Sequence, residues 1–281
     1  MAEGAVRCGV CPHLCRLHEG ELGLCRGRRA RGGAVADENY GRVISLALDP
    51  IEKKPLARFR PGSLVLSVGS YGCNMACPFC QNASIACAGP DDAPWRFMAP
   101  EELAAEAAAL QPRGNIGVAF TYNEPLIGYE FVRDTGRLVH RAGLANVLVS
   151  NGMVNPGPLQ ELLPLIDAAN IDLKGFTQGF YDRVQGDLAC VKRTIAALAA
   201  APGCHLEVTT LVIPGWNDDP AQIGAAAAWL ASLDPSIVYH ITRFFPCHRL
   251  ADRLPTPVDT VRGLVEVARK HLPYVQAGNC G

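Results

Sequence analysis

No surplus of either charge marks this chain of 281 residues, in which 26 Lys and Arg face 27 Asp and Glu for a net charge of -1. That balance lacks the basic footprint of a nucleic-acid binder and the acidic tail of many interaction proteins. No apolar run approaches the ~20 residues a membrane span needs, and no basic stretch leads into an apolar segment at the start. A cytoplasmic location with no membrane partner is the expectation. A phosphate-binding glycine loop and a hydrolytic triad are also missing. What remains, 49% hydrophobic and 19% charged residues, suffices for a sizeable core in one large domain with an appendage.

Cysteine is plentiful by contrast, with 12 in the chain, and seven of them fall in two groups. A reducing compartment keeps thiols from pairing, so this clustering points to metal binding rather than disulfides. The tighter group is Cys73-x3-Cys77-x2-Cys80, within Gly72-Cys73-Asn74-Met75-Ala76-Cys77-Pro78-Phe79-Cys80-Gln81-Asn82. Three thiolates hold three irons of a [4Fe-4S] cube whose full protein ligation takes four, which leaves one iron open to a substrate or cofactor. Structural zinc fits poorly because it takes four ligands, usually as two separated pairs. Disulfides at this spacing would close strained small rings.

The second group, Cys8-x2-Cys11-x3-Cys15-x9-Cys25, lies in an Arg- and Gly-rich stretch too polar to form a core alone. Four thiolates suit tetrahedral zinc or an auxiliary iron-sulfur cluster, and small-domain logic leans towards zinc. His13 and His18 are surplus to either ligand set. Cys87, Cys190, Cys204, Cys247 and Cys280 are scattered and read as small apolar residues, with Cys247 set apart by its place at a strand end.

Beyond a connecting hairpin at Gly41 to Leu48 and a charged loop, Asp49-Pro50-Ile51-Glu52-Lys53-Lys54-Pro55, one rhythm repeats. β-rich runs at Ser63 to Val68, Asn115 to Thr121, Ala145 to Ser150, Ala169 to Leu173, Cys204 to Val212 and Ile237 to Phe244 alternate with helical patterns. Alternation of this kind implies parallel βαβ units. Six of them predict an α/β fold, a partial (β/α)6 TIM-like barrel with a small N-terminal cysteine-rich metal-binding segment. The division expected is residues 1–35 for that segment, 36–61 for the connecting hairpin and loop, and 62–281 for the barrel. In such a sheet the chemistry gathers at the C-terminal strand ends, and the cysteine loop follows the first strand. Asp172 and Lys174, two apart at the fourth strand's end, project to one face, where they form either a ligand grip or an ordinary ion pair.

The C-x3-C-x2-C spacing resembles the signature of radical S-adenosylmethionine (SAM) enzymes. That resemblance implies a [4Fe-4S] cluster on Cys73, Cys77 and Cys80 that binds SAM at its open iron. Reductive cleavage of SAM to a 5'-deoxyadenosyl radical follows from it, as does the placing of Phe79 at the adenine. Asn123-Glu124-Pro125 is similar to the latter half of the superfamily's Gly-Gly-Glu-Pro, which contacts the SAM amino group. Val149-Ser150-Asn151-Gly152 and Asp172-Leu173-Lys174 resemble stretches of pyruvate formate-lyase activating enzyme, with valine in place of its aspartate. Pro246-Cys247-His248 resembles its Pro-Phe-His. Asn123, Glu124, Ser150, Asn151, Asp172, Lys174 and His248 are therefore expected around SAM; His248 also reads as a plain surface histidine.

The N-terminal cysteines, Asp49-Pro50-Ile51-Glu52-Lys53-Lys54-Pro55, Pro61-Gly62-Ser63 and the loop through Asn82 together resemble the AmmeMemoRadiSam system radical SAM enzyme, a group related to those activating enzymes. This implies an oxidoreductase-like enzyme that abstracts a hydrogen atom, and an electron donor such as flavodoxin or ferredoxin. It also implies association with AMMECR- and Memo-like proteins. Three substrates remain open: a glycine of a glycyl-radical enzyme, another protein or RNA, or a small molecule. A non-catalytic metal-binding interaction module is the reading of a different class.

Overall fold

A computed structural model of the protein describes residues 4–280. Its centre is an eight-stranded sheet built of β6 (Ser45–Pro50), β7 (Leu64–Gly69), β9 (Asn115–Phe120), β10 (Ala145–Ser150), β11 (Ala168–Asp172), β12 (His205–Val212), β13 (Val238–Arg243) and β14 (Val275–Gly278). From β7 to β14 every neighbouring pair is parallel and the spatial order follows the chain, whereas β6 runs antiparallel along β7. The parallel strands therefore number seven, one more than the six expected. The additional strand, Val-Gln-Ala-Gly, is too short to carry a periodic signal.

Helices α1 (Ala83–Ala86), α2 (Pro100–Ala109), α3 (Tyr129–Arg141), α4 (Pro156–Leu162), α5 (Gln178–Arg183), α6 (Leu188–Ala199), α7 (Pro220–Leu233) and α8 (Val258–Arg269) fill the crossovers. Their starts follow local chemistry. Asp187 caps α6 by accepting from the Cys190 N–H at 2.8 Å, and Asp219 with Pro220 opens α7. No helix among the described residues is long and apolar enough to cross a membrane.

Alternation along the strands divides their side chains between two layers. Leu66, Val118, Leu148 and Ala169 join the large core under the helices. Their neighbours Val65, Ala119, Val147 and Ala168 pack instead on Ile51 and Leu56 in a smaller cluster. Strands so covered on both faces read as continuous apolar runs. At Gly117 the backbones of β9 and β10 approach so closely that a Cβ would collide with the Ala145 carbonyl.

The second layer comes from a stretch assigned to a connector. Gly41 to Leu48 is not a free-standing hairpin, because β6 pairs along the whole of β7 as an edge strand of the main sheet. The chain then crosses the sheet's inner face as a strap. Lys54 Nζ meets Asp49 at 2.9 Å, the Pro55 carbonyl accepts from Asn170 at 2.8 Å, and the N–H groups of Ala57 and Arg58 donate to Glu207 at 2.9 and 2.8 Å. Beyond that, the Arg58 guanidinium lies over the Tyr274 ring just before β14. The strap thus spans the inner face from the β6 edge towards the β14 edge.

The cysteine-rich N-terminal part carries only small ladders, β1 (Val6–Arg7) with β2 (Arg16–Leu17) and β3 (Arg28–Arg31) with β4 (Ala34–Asp37). Further on, β5 (Arg42–Val43) pairs with β8 (Arg96–Phe97). Buried Arg28 anchors β3 to α3 by a two-pronged pair with Glu130 at 2.6 and 2.8 Å.

Candidate functional site

The loop after β7 brings Cys73, Cys77 and Cys80 to a cavity of about 280 Å³ at the C-terminal ends of the strands. Small-molecule pockets run from roughly 300 Å³ upward, so the space suits a ligand of nucleoside size. Phe79, Asn123, Glu124, Ser150, Asn151, Asp172 and Lys174 all line it as well. Phe79 is buried, with its ring 6.2 Å from those of Phe180 and Trp216. Trp216 belongs to the turn after β12. The neighbouring Asn217 donates to the Lys174 carbonyl at 2.8 Å, which fixes the end of β11.

Glu124 is almost wholly buried and accepts three hydrogen bonds: from Ser150 Oγ at 2.7 Å, Asn151 N at 2.8 Å and Leu126 N at 2.9 Å. Burial pushes its carboxyl up to about 7 even against those donors, because none of them carries positive charge. Ser150 and Asn151 therefore position Glu124. Asn123 turns its side chain to the cysteine loop, accepting from Ser70 N at 3.0 Å and donating to the Tyr71 carbonyl at 3.0 Å.

Lys174 Nζ bonds Asp172 at 2.8 Å. Burial works to lower its pKa, but Asp172 and the thiols of Cys77 and Cys80 outweigh that and raise it. The ammonium is thus a fixed positive charge facing the loop. The thiols themselves are pushed up by burial, Cys77 to about 11, and Lys174 pulls against the shift. Ligation to iron removes their protons, as it does for thiolates at metal sites generally. Among the described residues no group of three or more His, Cys, Asp or Glu converges on a point that would hold a single metal ion. Three soft thiols spread around a cavity, beside a lysine and a buried carboxylate, have the chemistry of a cluster loop with an adjoining ligand pocket.

His248 does not join them. The segment after β13 folds back so that Arg249 N donates to the Pro78 carbonyl at 2.9 Å and the Cys247 thiol to the Phe79 carbonyl at 3.3 Å. His248 is left exposed in a left-handed turn, outside the cavity wall. Cys247 does sit against the cysteine loop, as its strand-end position suggested.

Several lining residues escaped sequence reasoning: Tyr122, Thr209, Thr242 and Asn279. Thr209 and Thr242 lie in the C-terminal parts of β12 and β13, where strand-end polarity is a usable signal. Asn279 follows the strand that was not expected. Tyr122 adopts a left-handed backbone, and its hydroxyl donates to Asp49 at 2.6 Å, so the strap reaches the cavity wall.

In the N-terminal group, Cys8, Cys11 and Cys25 are buried and Cys15 is half-buried, and all 12 cysteines are free thiols. Burial raises Cys11 to about 11 and Cys25 to about 12, and the charges of the other N-terminal cysteines act in the same direction.

Sequential parallel strands, a cysteine loop after the first of them and a polar cavity beyond define a class that the comparisons identify. The chain belongs to the radical SAM superfamily, whose family model matches residues 67–223, more than half of it. That membership implies a [4Fe-4S] cluster and SAM. The chain is 38% identical over 280 residues to the uncharacterized protein MJ0808 of Methanocaldococcus jannaschii, a match covering 99% of this chain and 82% of that protein. It is also similar to pyruvate formate-lyase 1-activating enzyme of Escherichia coli, 27% identical over 153 residues, or 53% of this chain and 61% of the enzyme. Among solved structures, SuiB of Streptococcus suis bound to S-adenosylmethionine shares the fold at a TM-score of 0.59 and 10% identity, over 78% of this chain and 52% of SuiB.

Proposed function

We propose that the protein is a radical enzyme that abstracts a hydrogen atom from a macromolecular substrate at the cavity beside Cys73, Cys77 and Cys80. The observation carrying this reading is the meeting of three thiols, a cation-free buried carboxylate and a lysine–aspartate pair in one pocket. When bound, the cluster and SAM supply one-electron cleavage of SAM to methionine and a 5'-deoxyadenosyl radical.

In this reading Cys73, Cys77 and Cys80 hold three irons. Glu124, positioned by Ser150 and Asn151, receives the SAM ammonium that its surroundings lack. Lys174, held by Asp172, grips the SAM carboxylate or ribose through charge-assisted hydrogen bonds, and Phe79 meets the adenine. Asn123 keeps the cysteine loop in place, and the half-buried thiols and buried Phe79 limit the access of water to the reacting atoms. Further out, the wall of Thr209, Leu211, Thr242 and Asn279 is uncharged, which suits a backbone segment better than a charged metabolite. The similarity to the E. coli activating enzyme supports a glycine of a glycyl-radical enzyme as one such segment.

Residues 1–35 are read as a metal-binding unit, 36–61 as a connecting part and 62–281 as a partial barrel. The chain acts in the cytoplasm as an AmmeMemoRadiSam enzyme, takes electrons from a flavodoxin or ferredoxin and associates with AMMECR- and Memo-like proteins.

Anaerobic reconstitution with iron and sulfide, then reduction in the presence of SAM, should yield 5'-deoxyadenosine. A Cys73, Cys77 and Cys80 triple alanine variant should yield none. No product from an intact cluster would overturn the reading, as would equal product from the variant.

A further inference from the structure

We infer that Asn74 is a positioning residue that fixes the Asn151 side-chain amide against Cys73 Sγ, and that this amide sets the reduction potential of the cluster the loop carries. The inference rests on the radical reading of that loop.

Asn74 follows Cys73 directly, and Asn151 lies just past the end of β10. Both are buried, at 1% and 4% exposed. Their side chains close a ring of three hydrogen bonds with the Met153 backbone. Asn151 Nδ2 donates to Asn74 Oδ1 at 2.9 Å, Asn74 Nδ2 donates to the Met153 carbonyl at 2.7 Å, and Met153 N donates to Asn151 Oδ1 at 2.8 Å. Gly152 allows the last of these, because its φ of +71° is open to glycine and a Cβ there would press on Ile171 at 2.9 Å.

The ring decides which way each amide faces. A flipped Asn151 would set its NH2 group against the Met153 N–H and its oxygen against Asn74 Oδ1. Asn151 Nδ2 therefore spends one hydrogen on Asn74 and turns the other to Cys73 Sγ at 3.6 Å, a separation that suits the larger sulfur atom. Met75 N stands 3.4 Å from the same sulfur as a further donor. The Asn151 side chain is thereby withdrawn from the ligand. Although it lines the cavity, its oxygen and both its N–H groups are engaged by the protein, and its backbone N–H serves Glu124 at 2.8 Å.

The frame continues outward. His13 Nε2 lies 2.8 Å from the Asn74 carbonyl oxygen, and since a carbonyl only accepts, that nitrogen carries the proton. Two residues past Met153, Asn155 donates to the Gly9 and Val10 carbonyls at 2.8 Å each. The N-terminal segment thus clamps both Asn74 and the Met153 turn from outside.

An N–H aimed at a ligating sulfur stabilises the negative charge that reduction adds, so it raises the potential of the cluster. Without Asn74 the Asn151 amide loses the acceptor that holds it in this orientation. The potential should then fall.

The test uses the full chain, reconstituted anaerobically with iron and sulfide and titrated with reductant. Paramagnetic resonance reads the reduced cluster, and the signal that changes on addition of SAM marks the loop site. Asn74→Leu, close in shape and without an amide, should make reduction there roughly threefold to tenfold less favourable, a potential about 30–60 mV more negative for one electron. Asn151→Leu should lower it as much, and the double variant no further, because Asn74 acts through Asn151. An unchanged potential in Asn74→Leu overturns the inference, as do shifts that add in the double variant. Should Asn74→Leu load no cluster, His13 decides instead: His13→Ala should lower the potential, and His13→Gln, whose amide still donates, should restore it. A wild-type potential in His13→Ala, or a fall that His13→Gln leaves in place, overturns the inference. A wild-type cluster that forms 5'-deoxyadenosine at a potential indifferent to Asn74 sinks this inference alone, whereas wild type without a reducible cluster sinks the reading of the pocket with it.

Discussion

Glu207 and Glu124 are both buried strand-associated carboxylates, one near the start of β12 and the other just beyond the end of β9. At Glu207 the protein supplies everything the charge needs. His205 Nε2 lies 2.8 Å away, His240 Nε2 is in close contact, and Ala57 and Arg58 donate their N–H groups. Burial works to raise this carboxyl, but those bonds outweigh it and bring it down to about 2. Glu124 receives three neutral donors and no cation, and burial takes it up to about 7. A charge compensated internally is part of the fold. One held in place but left uncompensated beside a cavity is the mark of a site awaiting a positive ligand.

The largest effect should come from the thiols. Replacing Cys73, Cys77 and Cys80 by alanine should abolish 5'-deoxyadenosine formation while the circular dichroism of the fold persists, since the loop lies above the sheet rather than within it.

Next comes Glu207→Ala, which strands two histidines and the part-buried N–H groups of Ala57 and Arg58. It should cost about 3–5 kcal/mol, measured by urea unfolding. Glu124→Gln should cost less, about 1–2 kcal/mol, because its amide nitrogen faces one of the three donors that the carboxylate accepts, and it should weaken SAM binding roughly 10–100-fold, as expected for a lost hydrogen bond to a charged group. Equal destabilisation by the two substitutions would erase the contrast between the ends of the sheet.

Their pH dependences should have opposite signs. Glu124, raised from 4.5 to about 7, contributes stability that is fully present below pH 4.5 and is lost as pH rises through 7. Glu207, lowered from 4.5 to about 2, contributes stability present above pH 4.5 and lost as pH falls towards 2. Each amounts to on the order of 3 kcal/mol at most. Burial also takes Asp37 to about 7, with the same sign as Glu124, so the difference between wild type and Glu124→Gln isolates the latter. Urea unfolding from pH 3 to 8 reads both slopes. SAM affinity should rise as pH passes 7 and Glu124 ionises.

The smallest effect is expected at Tyr122→Phe, which removes the 2.6 Å bond to Asp49. It should cost about 1 kcal/mol and loosen the cavity wall, visible as a higher KM for SAM with kcat nearly unchanged.

Much of the fold was legible because parallel strands covered on both faces are apolar runs bounded by turns, and the six expected runs coincide with β7, β9, β10, β11, β12 and β13 within a residue or two. The strap was not. Asp49-Pro50-Ile51-Glu52-Lys53-Lys54-Pro55 has the composition of an exposed loop, yet Lys54 is 3% exposed and Ile51 is fully buried. Its buried charges pair within the segment, Lys54 with Asp49, and the groups that let them be buried are remote in sequence: the Tyr122 hydroxyl that donates to Asp49, and Asn170, which binds the Pro55 carbonyl. In the pocket, Glu124, Asp172 and Lys174 stood out as polar groups where apolar strands end. His248 misled because a motif carries no statement of which way its loop folds.

Local chemistry was therefore set by the chain alone: thiol spacing decides that three cysteines share one loop, and periodicity decides strand and helix. Tertiary structure decided which buried charges find partners. Compensation depends on groups brought together from distant strands, as when Glu207 meets His240 and Ala57, and no local pattern encodes that meeting.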